Sequence, residues 1–300
     1  MIYFGANLSY LTVNKISDSE LIVKPDGSVY HLGLRPEEVG EIVVTVGDPE
    51  RVSAVSAHFD HILFKRSVRE FTSHTGELEG KRITVISTGI GTDNIDIVLN
   101  ELDALVNVDF TERRVKEEHV ALDIIRLGTT GLVQPGASID QLYVSDMAVD
   151  GSGWADWYQY EMSTSESALA NAVEDALLPG KDMACFSANR ELLERFSEKT
   201  VRGNAFTAAG FYGPQGRAIR TSKRVDDFLN KLASVDSPSG KITNIEMETA
   251  GIYGLSALLG HRAIAINAAL ANRSDGTFST QPNRIVESMI EHALQVIVSL

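Results

Sequence analysis

Ile124-Ile125-Arg126-Leu127-Gly128-Thr129-Thr130-Gly131 is the stretch on which the reading of this chain turns. Apolar residues run through 121–127 except at Asp123 and Arg126, and the run breaks into Gly-Thr-Thr-Gly. The pattern predicts a buried parallel strand ending in a tight loop. Loops at the carboxyl ends of such strands are where open α/β sheets bind ligands. Arg126 stands one residue from the strand's end, and leaving a buried charge unpaired costs about 3–5 kcal/mol. It therefore requires an anionic partner, either a protein carboxylate or a ligand.

Working outward, the same strand, loop and helix grammar recurs. Ile42–Val46 is a β-branched run ending in Gly47-Asp48-Pro49, where Asp48 suits an N-cap and Pro49 the first helical position. Arg51 then falls in the first turn of the helix, where the dipole disfavours a cation. A bound anion resolves that conflict; a side chain facing solvent is the alternative. Residues 71–78 and 82–87 read as strands joined by Glu79-Gly80-Lys81, and this hairpin makes the sheet mixed. Ser87-Thr88-Gly89-Ile90-Gly91 leads into a helix carrying Ile95, Val98, Leu99, Leu102, Leu105 and Val106 on one face. Gly89-Ile90-Gly91 lacks the third glycine of a dinucleotide fingerprint, and residues 76–82 miss the P-loop spacing, with Arg82 in place of Ser/Thr. Neither motif is accepted.

Farther along, residues 111–119 mix charges around one valine and read as a solvated helix or loop. A strand at 141–149, a Trp- and Tyr-rich loop at 151–160, an amphipathic helix at 165–178 and a strand at 183–186 follow. Next come a helix at 190–196, an irregular stretch at 204–220, a helix at 223–233 and a strand at 242–245. Glu246 and Glu248 after that strand are expected to face opposite ways, one in and one out. A strand at 262–269 and a helix with Ile285, Met289, Ala293 and Val296 on its core face close the chain. The leader, residues 1–28, is poorly patterned, ends in the turn Pro25-Asp26-Gly27-Ser28 and receives no role.

Composition sets outer limits. The 300 residues are 43% hydrophobic and 23% charged, enough for a large core, and no linker or repeat marks a boundary, so residues 1–300 are expected to form one α/β domain. A net charge of −14 argues against a nucleic-acid surface or a polybasic membrane anchor. Cys185 is the single cysteine, so no intrachain disulfide forms. Residues 1–13 make a poor signal peptide and no segment suits a membrane span, which sets a cytoplasmic expectation. The histidines show no ligand spacing, so no catalytic metal is expected.

One loop invites a chemical reading. Phe211-Tyr212-Gly213-Pro214-Gln215-Gly216-Arg217 brings a ring, an amide and a guanidinium together. A ring can cover a planar heterocycle while Gln and Arg bond its edge. A turn-rich surface loop is the plain alternative.

Seven ordered motifs resemble one family: Tyr30-His31-Leu32-Gly33-Leu34, Gly47-Asp48-Pro49-Glu50-Arg51-Val52, Arg69-Glu70-Phe71, Ser87-Thr88-Gly89-Ile90-Gly91, Arg126-Leu127-Gly128-Thr129-Thr130-Gly131, Gln215-Gly216-Arg217 and Asn244-Ile245-Glu246-Met247-Glu248. In order and spacing, from about residue 29 onward, they are similar to the bacterial uridine phosphorylases, a nucleoside phosphorylase family. The resemblance implies a three-layer α/β/α fold with a mixed, partly barrel-like central sheet. It implies a phosphate site of Gly47, Arg51, Arg126 and Thr129, with Arg69 supplied by a neighbouring subunit. Phe211, Gln215, Arg217 and Arg273 would serve the base, and Thr129, Glu246, Met247, Glu248 and the neighbour's His31 the ribose. Arg217, Gln215, Arg126 and Glu248 would carry the chemistry.

Uridine and inorganic phosphate are thus the expected substrates, deoxyuridine or thymidine possible additions, and uracil and ribose 1-phosphate the products, with no organic cofactor. A nucleoside hydrolase, a purine nucleoside phosphorylase on the same fold and a silent nucleoside-binding protein are the alternatives. Shared sites imply a homodimer or a trimer of dimers. The sequence departs from the bacterial pattern in the long leader, in a charged insertion at 109–119, and at Asn94, where that pattern has a serine tied to a monovalent cation between subunits.

Overall fold

The computed structural model describes residues 15–300; the part of the leader read for a targeting signal lies outside the described residues. The strands are β1 (Ile42–Val46), β2 (His61–Val68), β3 (Phe71–Leu78), β4 (Lys81–Ser87), β5 (Val108–Asp109), β6 (Arg114–Val115), β7 (Asp123–Leu132), β8 (Leu142–Asp150), β9 (Ala184–Ser187), β10 (Val201–Thr207), β11 (Ile242–Glu246), β12 (Arg262–Asn272) and β13 (Thr277–Phe278). The α-helices are α1 (Pro49–Ser56), α2 (Thr92–Asn107), α3 (Thr164–Leu177), α4 (Arg190–Phe196), α5 (Phe228–Ala233), α6 (Thr249–Leu259) and α7 (Pro282–Val298).

The stretch quoted first is the axis of the sheet. Strand β7 pairs in parallel with β12 along its whole length, from Asp123 opposite Arg262 to Leu132 opposite Asn272. Its other edge is divided. Residues 123–127 pair in parallel with β1, whereas Gly131 and Leu132 pair antiparallel with Ile245 and Asn244 of β11. Strands β7, β12, β8, β10 and β11 close into a five-membered ring, and β1, β4, β3 and β2 extend from β7 as an open wing. The mixed, partly barrel-like sheet expected from the resemblance is present.

Alternation along β7 assigns the layers. Ile124 packs with Val43, with Leu99 and Leu102 of α2 and with Tyr253 of α6, while Ile125 and Leu127 pack with Val44, Val52 of α1, Phe196 of α4 and Met289 of α7. A third cluster sets α3 and α5 against the ring through Val173, Phe228 and Ile245.

Several local expectations are corrected. Gly128-Thr129-Thr130-Gly131 is strand and not loop, because β12 and β11 supply ladder partners beyond Leu127. Residues 201–207 form β10, although the sequence reads as irregular from 204; Gly203 and Asn204 weaken the strand signal, and a register shift falls between them. The helix expected at 223–233 begins only at Phe228, after Asp227 in the left-handed region at φ 53°. Strand β12 runs three residues past 269. The 109–119 insertion holds neither a helix nor a plain loop but a short hairpin in which β5 pairs with β6.

That hairpin explains the described end of the leader. Arg113 donates from Nε to the carbonyl of Ile16 at 2.8 Å, and from Nη2 to those of Ser17 at 2.7 Å and Leu21 at 2.5 Å. Ile16 N–H returns a bond to the Arg113 carbonyl at 2.8 Å. The two departures from the bacterial pattern form one packed feature.

Candidate active site

The divided edge of β7 creates the site. Strand β1 leaves that edge after Val46 and β11 reaches it from the opposite direction, so Gly47 and Met247 follow strand ends that point toward each other over Gly128 and Thr129. A cavity of ≈ 790 Å³ fills the fork. Such a switch point leaves strand-end backbone and loop side chains free to meet a ligand.

At one end, Asp48 caps α1 by accepting from Glu50 N–H at 2.9 Å, and Pro49 occupies the first helical position, as expected. Arg51 in the first turn lines the cavity and donates to the Leu127 carbonyl at 3.2 Å. No carboxylate lies within salt-bridge distance of Arg51 among the described residues. Burial, followed by the nearby charge of Arg126, pulls its guanidinium below the ordinary value, with Asp48 opposing. A dianion here would relieve the arginine.

The centre is a buried charge cluster. Arg126 turns back over Gly128, where a β-carbon would lie 1.4 Å from Nη1, so this residue has room for hydrogen only. Arg126 Nη2 donates to Glu248 Oε2 and lies 3.6 Å from Glu246 Oε2. Glu248 Oε1 accepts from Gly91 N–H at 2.8 Å. Both glutamates are buried, which overturns the expectation that one faces out: residues two apart share a face, and both converge on Arg126. Burial alone would depress Arg126, yet Glu248 and Glu246 outweigh it and hold its proton more firmly than usual. Burial pushes the Glu246 carboxyl up despite Arg126.

The two carboxylates carry different numbers of bonds. Glu246 accepts from Thr207 Oγ1 at 2.6 Å and from the N–H groups of Glu248 and Thr249 at 2.8 Å each, so it caps α6 and its oxygens are occupied. Glu248 accepts one bond on each oxygen, from Gly91 and Arg126, and lines the cavity with Glu246, Met247 and Thr129.

The far end is the 211–217 loop. Gly216 adopts φ +73°, and a β-carbon there would meet Phe228 at 2.7 Å, so glycine is required on both counts. The turn folds Arg217 back, with its guanidinium 3.8 Å from the Phe211 ring centroid and Nη1 donating to the Phe211 carbonyl at 2.6 Å and to Gln215 Oε1 at 2.5 Å. Burial and then Arg273 lower Arg217 to about 10, so it stays a cation at neutral pH. Arg273 stands behind the turn, with Nη2 donating to the Gln215 carbonyl at 3.2 Å and Nη1 buried without a partner among the described residues.

Gly47, Arg51, Arg126, Thr129, Phe211, Gln215, Arg217, Glu246, Met247 and Glu248 all line this cavity. Arg273 abuts it. Arg69 and His31 do not line it: Arg69 lies against the Tyr30 ring at 5.5 Å, and His31 Nδ1 meets Glu101 at 2.6 Å. Sequence reading missed Asn267, which accepts from Arg126 Nη1 at 3.4 Å, and Thr207, which holds Glu246. The available signal for Asn267 was a lone amide inside the apolar run 263–271.

The fold and this two-ended cavity define a class: the chain belongs to the Phosphorylase superfamily, which it matches over residues 41–299. It is 28% identical over 285 residues to a uridine phosphorylase of Thermococcus kodakarensis, covering 95% of this chain and 92% of that one. It is also 28% identical to a uridine phosphorylase of Escherichia coli (90% and 95%) and 26% identical to a DeoD-type purine nucleoside phosphorylase of Chromobacterium violaceum (90% and 98%). A crystal structure of a Trypanosoma brucei nucleoside phosphorylase described as showing uridine phosphorylase activity superposes with a TM-score of 0.87 at 29% identity, covering 93% of this chain and all of that one.

Proposed function

We propose that this protein catalyses phosphorolysis of uridine, giving uracil and ribose 1-phosphate. The observation that carries the reading is one cavity with Arg51, which has no carboxylate partner among the described residues, at one end, Gln215 and Arg217 at the other, and Glu248 between them. The relatives named uridine phosphorylase support the choice of substrate.

The chemistry follows from those positions. As the glycosidic bond lengthens, positive charge grows on the sugar and negative charge on the departing uracil. Phosphate, held beside Gly47 and oriented by Arg51 and Arg126, attacks the anomeric carbon from the opposite side. Glu248 accepts from the ribose hydroxyls and favours the cationic sugar, with Met247 against its ring. Thr129 serves both phosphate and ribose. Gln215 and Arg217 donate to the base carbonyls, where the leaving charge collects, and Phe211 covers the ring. Arg273 supports that turn from behind. No organic cofactor enters this scheme.

The rivals fare less well. Hydrolysis gives no reason to gather cations at the end opposite the base. A purine would not use the Gln215 and Arg217 pair as uracil's adjacent carbonyl and imide do. Arg69 and His31 require a neighbour if they are to act, so the proposed active unit is a homodimer, alone or within a trimer of dimers. No helix among the described residues is long and apolar enough to cross a membrane.

Release of free base from uridine, thymidine and inosine, with and without inorganic phosphate, tests the reading. Phosphate-dependent release of uracil from uridine is expected. Phosphate-independent release would establish a hydrolase, preference for inosine a purine enzyme, and binding without turnover a silent protein.

A further inference from the structure

Strand β12 carries one polar side chain on a face otherwise built of alanine. Ala263, Ala265, Asn267 and Ala269 alternate along it, and all four are buried. Asn267 is fully enclosed, and its Nδ2 has no partner among the described residues. A half-bonded amide in such a place is costly, and a fourth alanine would remove the cost. Stability of the strand therefore does not account for it.

What the amide meets is Arg126. Asn267 stands opposite Gly128 in the ladder between β12 and β7, and the two polar groups come together in the space that Gly128 leaves free. A β-carbon on Gly128 would lie 1.4 Å from Arg126 Nη1 and 2.4 Å from Asn267 Oδ1. Oδ1 accepts from Nη1 at 3.4 Å. Both carboxylates of the cluster sit on Nη2 instead, Glu248 by a hydrogen bond and Glu246 at 3.6 Å. A guanidinium is a planar fork, so acceptors on both Nη atoms fix its plane, where acceptors on one alone would let it turn toward them. The two carboxylates already outnumber the one cation. A third in place of Asn267 would hold the fork as well, but it would add negative charge beneath a cavity meant for an anion.

We infer that Asn267 is a positioning residue for the proposed reaction: it holds the Arg126 guanidinium open to the phosphate co-substrate, against the pull of Glu246 and Glu248, through an acceptor that carries no charge. The inference rests on the functional reading above and deepens it at the phosphate end of the cavity.

The test uses the full-length enzyme. Inorganic phosphate is titrated calorimetrically, and half-saturating concentrations of phosphate and of uridine are measured, each with the other substrate saturating. Half-saturation does not depend on how much of a preparation is folded. In Asn267→Ala the phosphate value and the calorimetric Kd should both rise roughly tenfold, the worth of one bond to a charged donor, while the uridine value stays within about twofold. Asn267→Asp keeps the size and the acceptor and should nevertheless weaken phosphate further than Asn267→Ala does. Asn267→Ser gives the same comparison should the alanine variant not fold, and it too should weaken phosphate more than uridine. A folded Asn267→Ala or Asn267→Ser enzyme that binds phosphate as tightly as wild type, or that weakens phosphate and uridine alike, overturns the positioning role. Phosphate binding in Asn267→Asp equal to wild type overturns the need for a neutral acceptor. Wild-type enzyme that binds phosphate yet releases no uracil from uridine overturns the functional reading, a result distinct from all of these.

Discussion

Arg126 and Glu248, 122 residues apart in the chain, meet side by side on the cavity floor, and neither has another fully charged partner as near. Glu248→Ala would leave Arg126 buried with only Glu246 at 3.6 Å, itself engaged in capping α6. A destabilisation of about 3–5 kcal/mol is expected from chemical denaturation, as for other buried pairs broken from one side. Inorganic phosphate should then raise the variant's unfolding midpoint more than the wild type's, because a dianion can occupy the vacated side of Arg126. Equal shifts would mean that Arg126 does not meet phosphate.

Arg51→Ala separates binding from folding. Its guanidinium bonds one carbonyl and is held below its ordinary value by burial, so removal should leave stability unchanged or slightly raised. The phosphate concentration giving half-maximal rate should rise roughly tenfold to a hundredfold, the worth of a charge-assisted bond. Unchanged phosphate saturation would remove Arg51 from the anion site.

Arg217→Ala concerns the leaving base. The residue belongs to an exposed turn and makes its bonds within that turn, so the fold should survive. Loss of a donor to the developing charge typically costs roughly 2.7–4 kcal/mol of transition-state stabilisation. Near-normal turnover of uridine by folded variant would exclude it from the chemistry.

Subunit sharing is tested by complementation. Arg69→Ala and Arg217→Ala enzymes, each poorly active, are mixed and allowed to exchange subunits. If Arg69 acts across the boundary, some dimers carry one intact site and activity returns. Exchange verified by mass spectrometry without recovered activity would place Arg69 outside the neighbour's site.

His74 supplies a pH prediction. It is buried, with Nδ1 2.7 Å from Ser56 Oγ, and burial, then Lys65, holds it below its ordinary value of 6.5. Above 6.5 the ring is neutral whether folded or unfolded, and its contribution to stability is complete. As pH falls below 6.5 the unfolded chain takes up the proton first, so stability declines until the folded value is passed. His74→Gln should show a smaller loss of unfolding free energy between pH 7 and pH 5 than wild type. An identical slope would assign the acid sensitivity elsewhere.

What the sequence disclosed follows physical locality. Asp48 and Pro49 announce a helix start through chemistry confined to three residues, and the hairpin around Gly80 does the same. Strand β2 went unseen because it is an edge strand, mostly exposed, with Ile62, Leu63 and Phe64 adjacent instead of alternating with polar residues. Closure of the ring was invisible in residues 128–131, whose Gly-Thr-Thr-Gly reads locally as a break; only the ladders from β11 and β12 keep it extended. Arg126 was legible as a charge in need of an anion, but Glu248 as its partner was not, since nothing within either segment names a residue so far away. The rest of the site was legible through its resemblance to a family, more than through periodicity.

The contact made by Arg113 has a consequence for how this chain tolerates change. The arginine grips the carbonyls of Ile16, Ser17 and Leu21, groups that every amino acid carries. Those three positions are therefore free to drift in identity while the docking persists, whereas a lysine at 113 would replace a fork of donors by one ammonium and release at least one carbonyl. Variation among relatives with the same hairpin should accumulate on the gripped segment and spare the hand that holds it.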